Sequence, residues 1–207
     1  MQRVMVFVDG FNLYHGLKDK HGRRYHWLDL EALATSLLKE HWQTLTGVMY
    51  FTARVRNDTG SLQRQSIYLD ALEAHCPKVK IVDGRFQEKV RGCKRCGSTW
   101  TVYEEKETDV SIAIALLEHG IKDDFDVALI ISGDSDLCPA VRALKRVCPD
   151  KRVVVAFPPA RWSHDLKLAV TAAFPIGVAK IRQAQLPLEV VAGDGLILRR
   201  PERWVER

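Results

Sequence analysis

The sequence of 207 residues has no apolar run long enough to cross a bilayer, which excludes a helical membrane protein. No secretory leader is expected either. The opening stretch Met1-Gln2-Arg3-Val4-Met5-Val6-Phe7-Val8 meets Asp9 too soon to serve as one, so a cytoplasmic location is expected. Cysteine is scarce and unpaired in pattern: five residues, an odd number, with no spacing of a secreted disulfide framework. No G-x-x-x-x-G-K-[ST] loop and no convincing G-x-G-x-x-G turn is present, which argues against the common nucleotide-binding motifs. The G-x-S-x-G elbow is missing too, so Ser132 with His119 or His164 suggests no hydrolase triad. The turn Asp9-Gly10-Phe11-Asn12 has no second acid two residues on, which disfavours an aspartyl-phosphate route. There is no internal repeat, low-complexity tract or linker.

What is present suits a globular α/β protein. Hydrophobic residues make up 46% of the chain, enough for a substantial core, and the net charge of +5 favours a polyanionic partner. Strands are expected at residues 3–8, 48–55, 80–82, 127–131, 153–157 and 172–178, with a terminal hairpin over 190–198 around Asp194-Gly195. Helical spacing marks Leu30, Leu33, Ala34, Leu37 and Leu38 behind a capping Asp29, and helices over 62–74, 108–119 and 136–146. Gly120 is expected to stop the third of these from the C′ position. Strands alternating with helices predict a mostly parallel sheet. A basic hairpin carrying Cys93 and Cys96 interrupts the alternation at about 84–103. The expected division is a main domain over 1–160 with that hairpin inserted, and a C-terminal extension over 161–207 packed on it.

Two segments share one design. Val4-Met5-Val6-Phe7-Val8-Asp9-Gly10-Phe11-Asn12 and Ala128-Leu129-Ile130-Ile131-Ser132-Gly133-Asp134-Ser135-Asp136 are both apolar strands ending in acidic, glycine-containing turns. Open parallel sheets bind ligands beyond the carboxyl ends of their strands, so neighbouring strands would bring Asp9, Asp134 and Asp136 together. Asp109, in the first turn of a helix whose face holds Ile112, Ala113 and Leu116, would point over the same sheet edge. Ionised carboxylates repel by about 4 kcal/mol per pair at about 4 Å near a protein surface. A shared proton or a hard cation relieves this, and an oxygen-only set without histidine points to Mg²⁺ or Mn²⁺, ions suited to phosphodiester cleavage. The plainer alternative is helix capping: Asp136 or Ser135 as a cap, Asn12 as the cap after the first turn, and Asp109 as an ordinary first-turn acid.

Val8-Asp9-Gly10-Phe11-Asn12, Glu105-Lys106-Glu107-Thr108-Asp109-Val110 and Ile131-Ser132-Gly133-Asp134-Ser135-Asp136-Leu137, in this order and spacing, resemble the NYN domain family, in particular its LabA-like bacterial branch. The resemblance covers about residues 3–157, and 185–187 and 201–204 are similar to that branch's C-terminal part. It implies a PIN-like three-layer α/β/α fold with a mostly parallel central sheet, and a metal site with Asp9, Asp109, Asp134 and Asp136 as its carboxylates. Asn12 and Ser132 are implied as polar supports, with attack by a metal-shell water that leaves a 5′-phosphate and a 3′-hydroxyl. The implied activity is that of a metal-dependent nuclease, an endoribonuclease or RNA-processing enzyme. The alternatives are a non-catalytic RNA- or protein-binding module on the same fold, or a DNA nuclease or phosphatase.

Basic residues offer phosphate contacts. Lys18, Arg23 and Arg24 lie in a stretch interleaved with Tyr14, His15, His21, His26 and Trp27, where aromatic faces suit base stacking. The competing reading is a solvated helix end with Trp27 anchored in the core. Arg85, Lys89, Arg91, Lys94 and Arg95 make the hairpin a phosphate-contacting arm, and Lys106 adds a further cation. Cys93-Lys94-Arg95-Cys96-Gly97 resembles half a zinc ribbon. A structural Zn²⁺ needs four ligands, so His75 and Cys76, or the same knuckle of a second copy in a homodimer, are the candidates to complete it. Cys138 and Cys148 read as packing residues.

Overall fold

In a computed structural model the chain forms a three-layer α/β/α sandwich. Residues 1–55, 58–93 and 95–205 are described, with only the backbone for 85–91 and 101–106. Strands β1 (Gln2–Asp9), β2 (Gln43–Ala53), β3 (Val79–Gly92), β4 (Thr99–Lys106), β5 (Val127–Ile131), β6 (Arg152–Phe157) and β7 (Ala172–Pro175) form one sheet in the order β4-β3-β2-β1-β5-β6-β7. Every neighbouring pair is parallel except β3 with β4. The expected mostly parallel sheet is therefore observed, with an antiparallel hairpin at one edge.

Period-two alternation divides the apolar residues between two faces. Val4, Val6 and Val8 of β1, with Leu129 and Ile131 of β5, meet helices α1 (Gly10–His21), α2 (Leu30–Leu37) and α3 (Thr59–His75). Phe7, Phe51, Ala128 and Ile130 meet α4 (Thr108–Ile121), α5 (Cys138–Val147) and α6 (His164–Ala169) on the other face. The first layer also takes in Ile181 of α7 (Val178–Gln183), Val190 of β8 (Glu189–Val191), Leu198 of β9 (Ile197–Arg199), and Trp204. Trp27 is fully buried there and its Nε1–H donates to the Pro187 carbonyl at 2.6 Å. Among the described residues no helix is long and apolar enough to cross a membrane.

Several expected boundaries move, each for a physical reason. Strand β3 is far longer than residues 80–82, because after pairing with β2 as far as Gly84 it continues into the ladder with β4. Helix α4 does not stop at Gly120. It runs to Ile121, and a Cβ on Gly120 would lie 2.4 Å from Leu144 Cδ1, so this glycine allows α4 and α5 to approach closely. The helix expected from Asp136 begins as a 3₁₀ turn, Ser135–Leu137, and becomes α-helical at Cys138. The strand expected over 172–178 ends at Pro175, and residues from Val178 form α7. Asp29 caps α2, accepting from the Ala32 N–H at 2.7 Å.

Candidate functional site

The chain builds outward from β1 in both directions, through β2 and β3 on one side and β5 and β6 on the other. The carboxyl ends of β1 and β5 thus flank the point where strand order reverses, the place where open α/β sheets leave a crevice. Val8 pairs with Ile131, so the next residues, Asp9 and Ser132, emerge side by side.

Asp9 is buried, with 4% of its surface exposed. Its Oδ1 accepts from the Asn12 N–H at 2.9 Å and caps α1, while its Oδ2 accepts from Ser132 Oγ at 2.8 Å. The Ser132 hydroxyl also accepts from the Asp134 N–H at 3.0 Å. The Asn12 side-chain oxygen accepts from the Gly133 N–H at 2.8 Å, which ties α1 to the turn after β5. The cap of α1 is therefore Asp9, not Asn12, and Asn12 bridges two turns. Asp134, rather than Ser135 or Asp136, caps the 3₁₀ turn by accepting from the Asp136 N–H at 2.9 Å. Gly10 is required here: a Cβ would lie 2.5 Å from the Phe51 carbonyl oxygen and 2.7 Å from the Tyr50 ring.

Asp109 occupies the first turn of α4, which the chain enters through Glu107 in the left-handed region at φ 78°. Asp109 is exposed at the sheet edge. Its carboxyl is raised above the ordinary aspartate range by desolvation first, and then by the negative charges of Asp134 and Asp136. The three acids thus share one electrostatic neighbourhood. Among the described residues, however, no three His, Cys, Asp or Glu side chains stand close enough to hold one ion as placed. Binding there requires the exposed carboxylates to turn inward.

The basic stretch divides. Lys18, Lys20 and Arg24 are exposed and Arg23 is half-buried, but Tyr25, His26 and Trp27 belong to the core. The Arg24 guanidinium lies 5.4 Å from the Tyr25 ring centroid. In the hairpin Arg91 pairs with Trp100 and Lys106 with Arg85 along the backbone, and Arg95 is exposed at the turn. The side chains of Arg85, Lys89, Arg91 and Lys106 and all of Lys94 lie outside the described residues.

Cys93 and Cys96 sit on a tight turn closed by the Gly97 N–H to the Cys93 carbonyl at 2.9 Å. Cys96 Sγ lies 2.9 Å from Ser98 Oγ, and this contact leads the effects that lower its thiol to about 7. His75 and Cys76 do not complete the knuckle. Both face Asp29 at the end of α3: Cys76 is buried with Sγ 3.3 Å from Oδ1, and His75 Nε2 lies 3.6 Å from Oδ2.

One feature had no signal in the sequence. A cavity of ≈ 240 Å³ opens between α1, the end of β2, α3 and Trp204, and Gly10 is in its wall. Its residues come from segments that read separately as core strand, helix and tail.

Two known proteins are similar to this chain, one in sequence and one in fold. The chain is 27% identical to 6-hydroxy-3-succinoylpyridine 3-monooxygenase HspA of Pseudomonas putida, over 98% of this chain and 75% of that protein. A protein of unknown function from Vibrio parahaemolyticus has a similar fold, with a TM-score of 0.55 at 18% identity over 85% of this chain and 93% of that one. Residues 3–176 match the NYN domain model, and with these acidic turns on this sheet the chain belongs to the NYN domain family, built on a PIN-like nuclease fold.

Proposed function

We propose that the chain is a metal-dependent nuclease acting on RNA, with Asp9, Asp109, Asp134 and Asp136 as the ligands of Mg²⁺ or Mn²⁺. The observation that carries this reading is the pair of acidic turns leaving β1 and β5 side by side, tied by Ser132 to Asp9 and by Asn12 to Gly133, with Asp134 and Asp136 near enough to raise the Asp109 carboxyl. Such a group of like charges is relieved by a hard cation, and its donors are all oxygens. When bound, the ion supplies an activated water and neutralises charge growing on the scissile phosphate.

The chain's own residues set the stage. Ser132 donates to one Asp9 carboxylate oxygen and the Asn12 N–H to the other, which fixes the orientation of the carboxylate. Asn12 keeps the two acidic turns in register through Gly133. Lys18, Arg23, Arg24 and the hairpin cations Arg91, Lys94, Arg95 and Lys106 are the candidates to hold phosphates.

The test is incubation of the full chain with single-stranded and structured RNA in Mg²⁺, Mn²⁺ or EDTA. Cleavage in either metal, abolished by EDTA and by Asp9→Asn with Asp134→Asn, is expected. Metal-dependent cleavage that survives the double variant would overturn the site.

A second reading is carried by the Pseudomonas putida relative, named as a monooxygenase of a hydroxypyridine bearing a succinoyl group. On that reading the substrate is a small heteroaromatic acid. Turnover of 6-hydroxy-3-succinoylpyridine with dioxygen and an electron donor, with RNA left intact, would select it.

A further inference from the structure

The cavity beside Gly10 has the size and lining of a ligand site. Its ≈ 240 Å³ exceeds the about 150 Å³ of an engineered apolar cavity that takes benzene, and falls below the roughly 300–1,000 Å³ of drug-sized pockets. That space suits one planar ring system of one or two rings. Phe11, Tyr14, Tyr50, Tyr68 and Trp204 supply much of the wall. Their faces and edges are suited to an aromatic guest.

The polar groups narrow the chemistry. His26 lines the cavity and is 4% exposed; its covered ring nitrogens meet no side-chain partner among the described residues, and of hydrogen-bonding groups only the Tyr14 backbone acts on the ring. A guest that hydrogen-bonds to this ring, once the Tyr14 ring stacked on it at 4.5 Å shifts, is favoured over a hydrocarbon. Burial lowers His26 to about 4, so the imidazole is neutral near pH 7 and offers one donor and one acceptor. That is the complement of a ring carrying nitrogen or a carbonyl. Two cations, Arg23 and Arg64, also reach the lining, and no described lining residue is acidic. Arg64 is held by Ser61 Oγ at 2.8 Å, with Asp58 at 3.9 Å outside the lining.

The wall is organised before any ligand arrives. Gln65 Nε2 donates to the Ala53 carbonyl at 2.9 Å, and its Oε1 accepts from the Val55 N–H at 2.8 Å. The Tyr68 hydroxyl donates to the Leu28 carbonyl at 2.8 Å. Trp204 stands edge-on to His26 with ring centroids 5.5 Å apart.

We propose that this cavity binds one planar heteroaromatic ring carrying an anionic substituent, with the ring against Tyr14, His26 and Trp204 and the anion toward Arg23 and Arg64. A nucleotide unit and a free heteroaromatic carboxylate share that chemistry. The proposal does not rest on the acidic site, although Gly10 puts the cavity one residue from Asp9.

Calorimetric titration of the full chain in EDTA tests it, with adenosine 5′-monophosphate, uridine 5′-monophosphate, nicotinate, adenosine and ribose 5-phosphate as probes. Saturable binding of at least one ring-plus-anion probe is expected, with adenosine weaker than its monophosphate by about tenfold or more and ribose 5-phosphate not saturating. Arg23→Gln with Arg64→Gln should weaken the anionic probe by about tenfold and leave adenosine unchanged. His26→Phe should remove binding of all ring probes. Tyr14→Ala, at a more exposed wall position, should weaken them and serves if His26→Phe fails to fold. Saturation by the monophosphates alone identifies a nucleotide as the guest, and saturation by nicotinate alone a free acid. Binding retained in Asp9→Asn with Asp134→Asn would support a site separate from the acidic one. No saturation by any ring-plus-anion probe, equal binding of ribose 5-phosphate, or indifference to the arginine and ring variants would overturn the proposal.

Discussion

Ser132 joins two acidic turns with one buried hydroxyl, donating to Asp9 and accepting from the Asp134 N–H. Ser132→Ala leaves both partners short of a bond, and Asp9 among them is buried. The expected loss is about 1–3 kcal/mol, read as a lower urea midpoint, together with slower metal-dependent cleavage. His26 governs a different observable. Burial first, then the charges of Arg23 and Lys18, lowers its pKa to about 4, whereas the unfolded chain takes up the proton near 6.5. Its contribution is therefore fully present above pH 6.5 and lost as pH falls toward 4, by about 3 kcal/mol in all. Unfolding free energies of the wild type and His26→Phe, compared across that window, should show the smaller slope in the variant. Neither role was fully legible in the sequence. Asp9 and Asp134 stood out because each ends an apolar strand. The bridge from Asn12 to Gly133 spans 121 positions and has no local mark. His26 read as part of an exposed basic stretch because its sequence neighbours are cations, while the ring that covers it, Trp204, comes from the far end of the chain.

Elements were legible where one periodicity ran unbroken. The β1 and β5 segments alternate cleanly and lie where their patterns put them, so the neighbourhood of Asp9 and Ser132 follows from the expected parallel sheet. Strand β3 is longer than its apolar run suggests, because it changes partners at Gly84 and continues through a mostly polar segment. Helix α4 runs past Gly120, where a glycine that permits close packing looks, in sequence, like one that ends a helix. The junction of β1 and α1 makes the sharper test. Gly10→Ala forces a methyl group against the Phe51 carbonyl and the Tyr50 ring, so β2 and α1 must separate. A loss of about 1–3 kcal/mol is expected from such overpacking, despite alanine's higher helix propensity. A fall in thermal midpoint checks it, and metal-dependent cleavage should fall with it because Asp9 moves with the helix it caps.

At the scale of the whole molecule the C-terminal residues close the first core layer. Trp204 is 6% exposed and packs at 6.3 Å from the Trp27 ring and 5.9 Å from the Tyr68 ring. Arg200 Nη2 reaches the Trp204 carbonyl at 2.5 Å and also the carbonyl of Arg24. Trp204→Ala should therefore cost about 3–5 kcal/mol, measured by chemical denaturation, a large share of the stability of a domain this size. The acidic turns lie across the sheet's central strands and rely less on this closure, so residual cleavage in folded molecules of that variant is expected. Val4 and Trp204 share one core although they are separated by nearly the whole sequence. On a ribosome, the segment around Trp27 must then wait in the nascent chain while the tryptophan that packs on it is still being translated. This layer closes only after residue 204 has left the ribosome, and a polypeptide released before that point exposes Trp27 and Leu28 to chaperones and proteases.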